Sequence, residues 1–260
     1  MMTRYARLLL TYFKINFKSL AIYDFDFYFS IVGMMIQNLI NVAALRFLYL
    51  LVPTIQGYTF TELLTTYAIA STSFAIFRCF FINTLNIADY VRKGKFDGLL
   101  VKPVNPLFQL LNESFDEDAW GDLAISVLIL TTIAFSSHMP LLIFLLVLLM
   151  CCATSLIFLS LTLLGGMVSL LSQGLADLSE TVYDFFEFSK YPLSIYNTPL
   201  KMILTWFLPL GWVAAIPQST VIDDGRWYFA ILVVGISVAF FTLVYQLWRL
   251  FLVKYQSTGT

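Results

Sequence analysis

From residue 140 to residue 171 the chain reads PLLIFLLVLLMCCATSLIFLSLTLLGGMVSLL, 32 residues without one charged side chain. Wound as a helix, this run is about 48 Å long, whereas the hydrocarbon of a bilayer is roughly 30 Å thick. An uncharged apolar run of about 18 residues or more reads as a membrane-spanning helix, so one crossing is fixed and lipid is the solvent. The rest of the chain agrees: 60% of its residues are hydrophobic and 12% are charged, with a mean hydropathy of +0.83. Its 260 residues leave room for about six crossings with short loops and for no separate soluble domain. The expectation is an all-α polytopic membrane protein, with residues 1–260 forming a single transmembrane domain.

The first residues lack the clean apolar core and small-residue cleavage site of a secretory signal. They predict instead an interfacial helix over 1–22. Arg4, Arg7, Thr11, Lys14 and Lys18 share one narrow arc of a helical wheel, while Leu8, Leu9, Tyr12, Phe13, Ile15 and Phe17 cover much of the rest. Crossings are then predicted near 27–51, 60–88, 120–137, 140–171 and 227–252. The N-terminal helix carries four basic residues, and the loop VRKGKFDGLLVKPVNP at 91–106 carries four more. Arg249 and Lys254 close the last span, while the connection at 52–59 and the turn near His138 have no Lys or Arg. Basic loops stay inside, so both termini and the loop at 91–106 are expected on the cytoplasmic side. The net charge of -1 gives no reason to expect a nucleic-acid partner.

Parity then demands one further crossing between 172 and 226. Hydropathy alone favours 200–216 over 174–195. Along the second candidate and the residue before it, Gln173, Asp177, Glu180, Asp184, Glu187 and Tyr191 fall at spacings of 4, 3, 4, 3 and 4, which places all six on one helix face. Each acid at the midplane of a membrane costs about 2.5–3.5 kcal/mol on insertion scales, so such a stripe avoids lipid. It is read as a solvated face, as an internally paired face using Arg78 and Lys190, or as part of a substrate path with an affinity for organic cations. Asn83, Asn86 and Asp89 either line the same cavity or bond between helices. Asp116, Glu117 and Asp118 are expected to form a solvated turn, and His138 to be an ordinary interfacial residue. Cys79, Cys151 and Cys152 are expected to be small core residues. Gly165 and Gly166 are expected to permit close helix packing.

Two stretches, VRKGKFDGLLVKPVNPLFQLL at 91–111 and KYPLSIYNTPLKMILTWFLPLGWVAAIP at 190–217, resemble the permease subunits of type-2 ATP-binding-cassette (ABC) exporters, in particular a six-span bacterial branch. The first matches its order of basic pair, Gly, acid, Leu-Leu, base and Pro-x-Asn-Pro, with Phe96 where the branch has Leu. Trp248 and the closing stretch YQSTG at 255–259 are similar to it as well. The resemblance implies a cytoplasmic coupling helix within 89–118, a fifth span at 174–191, and a re-entrant outer hairpin over 192–217. It also implies a second permease (the same chain or a relative), partner ATPase subunits, and residence in a bacterial plasma membrane. No Gly-x4-Gly-Lys-Ser/Thr phosphate loop occurs in the chain, so no cofactor is expected on it, and ATP and Mg are expected on the partner ATPase. Arg92, Lys93, Gly94, Lys95, Asp97 and Lys102 would face that ATPase or lipid headgroups, with Pro103 and Pro106 ending helical stretches. A secondary transporter or channel using the acidic stripe as an ion relay is the competing reading.

Overall fold

The computed structural model describes residues 2–20, 24–116, 118–223 and 226–255. Glu117 and the closing stretch 256–259 therefore lie outside the described residues, as do residues 1, 21 and 22 of the expected interfacial helix. The described chain is helical, with no strand. The long helices are α1 (Met2–Leu20), α2 (Asp24–Leu51), α3 (Phe60–Phe81), α7 (Ala119–Ser136), α8 (Leu141–Leu171) and α12 (Phe229–Lys254). Short helices α4 (Ile87–Arg92), α5 (Lys95–Leu100) and α6 (Pro106–Leu111) follow α3, and α9 (Ser179–Asp184), α10 (Thr198–Met202) and α11 (Ala215–Pro217) lie between α8 and α12.

Among the described residues, five helices are long and apolar enough to cross a membrane: Tyr28–Leu51, Phe60–Arg92, Ala119–Ser136, Leu141–Leu171 and Phe229–Lys254. α8 is the structural centre, packing against α12, α3, α9 and α4, while α7 packs on α3 and α2. Small residues let backbones approach. A Cβ on Gly165 would come within 2.8 Å of the Ser179 backbone, and one on Gly121 within 2.6 Å of the Ile31 carbonyl oxygen. Hydroxyls inside the bundle are satisfied locally or across helices: Thr154 donates to Ser73 Oγ at 2.9 Å, and Thr84 and Thr162 hydroxyls meet at 2.8 Å. Cys79 and Cys151 are buried, but Cys152 is exposed on the outer surface of α8 and is not a core residue. His138 has a left-handed backbone (φ 50°) and is exposed in the α7–α8 turn.

The segment at 174–191 differs from a single span. Gln173 (φ 53°) and Gly174 (φ 80°) turn the chain, and a Cβ at 174 would meet the Ala88 carbonyl oxygen at 3.0 Å, so the left-handed turn is packed directly on α4. Helix resumes only at Ser179, as α9, and tightens into a 3-10 segment at Phe185–Lys190. These twelve residues reach about 21 Å, less than the roughly 30 Å of hydrocarbon. Next, 192–217 folds back on itself. Asn197 caps α10 by accepting from Leu200 N at 3.1 Å, Pro209 interrupts the helix, and Trp212 Nε1 donates to Thr205 O at 3.2 Å to close the two limbs.

Candidate functional site

A polar cleft lies between α2, α3, α7 and the 3-10 segment. Along α2, Met34, Gln37, Asn38, Asn41, Leu45 and Leu48 follow helical spacing and form one wall. Tyr67, Ser71, Phe74 and Arg78, spaced 4, 3 and 4 along α3, form the second. Asp122 of α7 closes the floor, and Tyr183, Glu187 and Lys190 close the side. The cleft has two parts, of about 310 Å³ around Arg78 and about 340 Å³ around Leu48 and Tyr191, which share Asn41, Glu187 and Lys190.

The floor is a charge centre. Arg78 Nη2 and Nε donate to Asp116 Oδ2 at 2.7 and 3.0 Å, and Nη1 donates to Asp122. Asp122 Oδ1 accepts from Asn38 Nδ2 at 2.7 Å, and Asn38 Oδ1 accepts from Tyr67 at 2.8 Å. One network thus ties α2, α3, α7 and the 112–118 connection together. The Arg78 and Asp122 side chains retain 11% and 12% of their exposure; charges so buried persist only when paired and hydrogen-bonded.

Several expected roles change. Glu180 and Asp184 do not pair with Arg78; they are exposed outside the cleft, and the guanidinium is taken by Asp116 and Asp122. Asp116 is accordingly an ion-pair partner rather than part of a solvated turn. Gln173 and Asp177 precede the helix, where Asp177 Oδ1 accepts from Ser179 N at 2.9 Å, so the six residues do not share one helix face. Of the acids in that stripe only Glu187 lines the cleft, bonded to Lys190 at 2.6 Å; Tyr191 lines its apolar part. Asn83 is buried and donates to Ser114 O at 2.8 Å and Leu111 O at 3.3 Å, and Asn86 donates to Asn83 Oδ1 at 3.5 Å. Both brace the 111–114 connection and neither lines the cleft. Asp89 accepts from Lys93 at 3.0 Å and from Arg92 at the α4 terminus.

Gln37, Asn38, Asn41, Ser71 and Asp122 were not singled out from the sequence. A signal exists: three amides within about one turn of an apolar span, and an acid early in another, are expensive in lipid and mark function.

The basic loop is built as a rigid knob. Gly94 adopts φ 65° between α4 and α5, a conformation that a Cβ disfavours. Phe96 is fully buried, its ring edge-on to Trp248 and Tyr255 at 6.1 and 5.2 Å between centroids. Burial and the nearby Asp97 carboxylate push the Tyr255 phenol up to about 12. Asn105 caps α6 by accepting from Leu107 N at 2.9 Å and donates to Tyr245 of α12 at 2.7 Å, while its own N–H reaches Tyr5 of α1 at 3.3 Å. Gln109 Nε2 donates to Leu99 O and Val104 O at 3.0 and 2.8 Å. Pro106 opens α6 at its first position rather than ending a helix, as its fixed φ and missing N–H permit. At the tip Val101 is 83% exposed, beside exposed Lys102 and Pro103, whereas Lys95 lies over the Tyr90 ring at 5.8 Å.

These features define a multi-pass helical membrane protein with an internal polar cleft and an anchored basic loop. The model of the ABC-2 family transporter protein matches residues 32–259, and the chain belongs to that family: it is an ABC transporter permease, the transmembrane subunit rather than the ATPase. No curated protein and no solved structure matches the chain.

Proposed function

We propose that the protein is the permease of an ABC exporter that carries a substrate with a cationic portion outward across the bacterial plasma membrane, driven by separate ATPase subunits that bind ATP and Mg. The observation that carries this reading is the family match over 32–259. Two permeases, identical or related, would enclose the substrate path, with the polar cleft as this chain's share of it; Glu187, together with the Tyr67 and Phe74 faces that already hold the Lys190 ammonium, supplies what a cationic group needs. The charge distribution favours cytoplasmic termini and a cytoplasmic 89–118 region, whose exposed Val101–Lys102–Pro103 tip suits the ATPase contact. The 192–217 hairpin would then lie on the outer side.

The test is affinity isolation from native membranes followed by transport in inverted vesicles. An ABC ATPase should co-purify, and uptake of a cationic dye should require ATP and resist proton uncouplers. Uptake that survives ATP depletion and collapses with the proton gradient would overturn the proposal in favour of a secondary transporter.

A further inference from the structure

The cleft carries more information than the sign of one charge. Its lining holds two cations, Arg78 and Lys190, and two anions, Asp122 and Glu187. The two pairs are not equivalent. Arg78 and Asp122 are bound on several sides, to Asp116 and to Asn38, and serve as fixed structure. Lys190 and Glu187 hold each other at the mouth, where Lys190 retains 15% of its side-chain exposure and Glu187 62%. With one partner at the surface, water competes for the pair and its worth approaches the small value of exposed ion pairs, so a ligand can open it.

What opens it at least cost replaces both partners. A simple cation that took Glu187 would leave the Lys190 ammonium, 15% exposed, with only the Tyr67 and Phe74 ring faces, which is costly for a charge so buried; a simple anion on Lys190 would release Glu187, 62% exposed, into water and forgo its pairing. A ligand with an anion for Lys190 and a cation for Glu187 leaves neither. A second observation points to a missing ligand group. Ser71 is 7% exposed, lines the same space, and its Oγ has no hydrogen-bond partner, although its neighbours Thr72 and Ser73 donate back to Ala68 and Ile69 at 2.7 and 2.8 Å. Such an orphan calls for an explanation, and an acceptor in the cleft provides one. Beyond Lys190 the cleft continues along α2 past Ala44, Leu45 and Leu48 to Tyr191, a largely apolar extension.

We propose that the cleft binds a single-chain zwitterionic amphiphile, its anionic group on Lys190 and Ser71, its cationic group on Glu187, and its apolar chain along Leu45 and Leu48. This names the substrate class of the exporter proposed above and rests on that reading.

The test uses the permease with its ATPase subunits in nanodiscs and three fluorescent amphiphiles of one chain length, with phosphocholine, trimethylammonium and sulfate heads. Binding is followed by anisotropy and ATP hydrolysis is followed in parallel. The phosphocholine probe should bind about two- to fivefold tighter than either singly charged probe, the scale of one partly exposed ion pair of up to about 1 kcal/mol. Lys190→Gln should erase the preference over the trimethylammonium probe and Glu187→Gln the preference over the sulfate probe, and Ser71→Ala should weaken phosphocholine binding while sparing the trimethylammonium probe. Glutamine keeps polar groups at both positions and Glu187 is largely exposed, so the variants should fold; monodisperse elution confirms it. Equal or tighter binding of trimethylammonium, or a phosphocholine preference that survives both charge variants, overturns the proposal. If ATPase subunits assemble but the preference is missing, only the ligand assignment fails; if none assembles with the chain, the exporter reading fails while the binding result still stands or falls by itself.

Discussion

Replacing Arg78 by Met keeps an unbranched apolar stem and removes the guanidinium. Two carboxylates then lose their counterion. Asp122 keeps 12% of its side-chain exposure and Asp116 20%, so water compensates little, and Asn38 alone remains on Asp122. Breaking a buried pair from one side costs about 3–5 kcal/mol. At roughly 2–4 °C per kcal/mol for a domain of this size, the midpoint of thermal unfolding should fall on the order of 10 °C. The second arm of the cycle is Asp122→Asn, whose oxygen still accepts from Asn38 but whose new amide points N–H groups at Arg78. Alone it should be destabilising; added to Arg78→Met it should recover part of the loss, because the stranded charge is gone. A coupling energy of about 2 kcal/mol is the expected scale for residues in one network. Fluorescence-detected size exclusion of the purified protein after stepwise heating measures all four forms. A Met variant within about 2 °C of the parent, or strictly additive effects, would refute the charge centre as described.

Gly165→Val should abolish monodisperse protein, since a Cβ there meets the Ser179 backbone at 2.8 Å, while Gly33→Ala, which meets nothing within 4 Å, should be silent in the same elution assay. Val101→Asp, at an 83% exposed tip, should leave the unfolding midpoint unchanged, as surface changes do, yet reduce co-purified ATPase several-fold; undiminished recovery would remove the tip from that contact. Gly94→Ala should cost about 1 kcal/mol at its left-handed position and lower the ratio of substrate moved to ATP hydrolysed; a normal ratio would separate the turn from coupling. A single cysteine at Asn197, in a background lacking Cys79, Cys151 and Cys152, should be modified by an impermeant maleimide added to intact cells, and modification only after permeabilisation would place the hairpin inside.

Helical spans were legible because lipid imposes a simple rule: an apolar run of sufficient length has nowhere else to go. The five apolar helices long enough to cross a membrane follow from it. The cleft was not legible for two reasons. The acidic spacing at 173–191 assumes one uninterrupted helix, and spacing carries no information about the left-handed pair Gln173 and Gly174, which breaks it. Arg78 is paired by Asp116, and which carboxylate reaches a guanidinium first depends on how the 112–118 connection folds, a tertiary fact. The amides Gln37, Asn38 and Asn41 carry no charge, so only their cost in lipid, and no charge pattern, distinguishes them in the sequence.

The rod from Phe60 to Arg92 carries the cleft residues Tyr67 to Arg78 on one part and the base of the basic loop on the other, and between them Ile82–Asn86 is wound as 3-10 rather than α-helix. A 3-10 residue advances about 120° and 2.0 Å, an α residue about 100° and 1.5 Å. Rewinding those five residues would therefore swing Arg92 and Lys93 through about 100° around the rod relative to Arg78 and draw them about 2.5 Å closer along it. A short change of pitch there, with Thr84 and Asn83 as its pins, would act as a screw thread between the cleft and the basic loop.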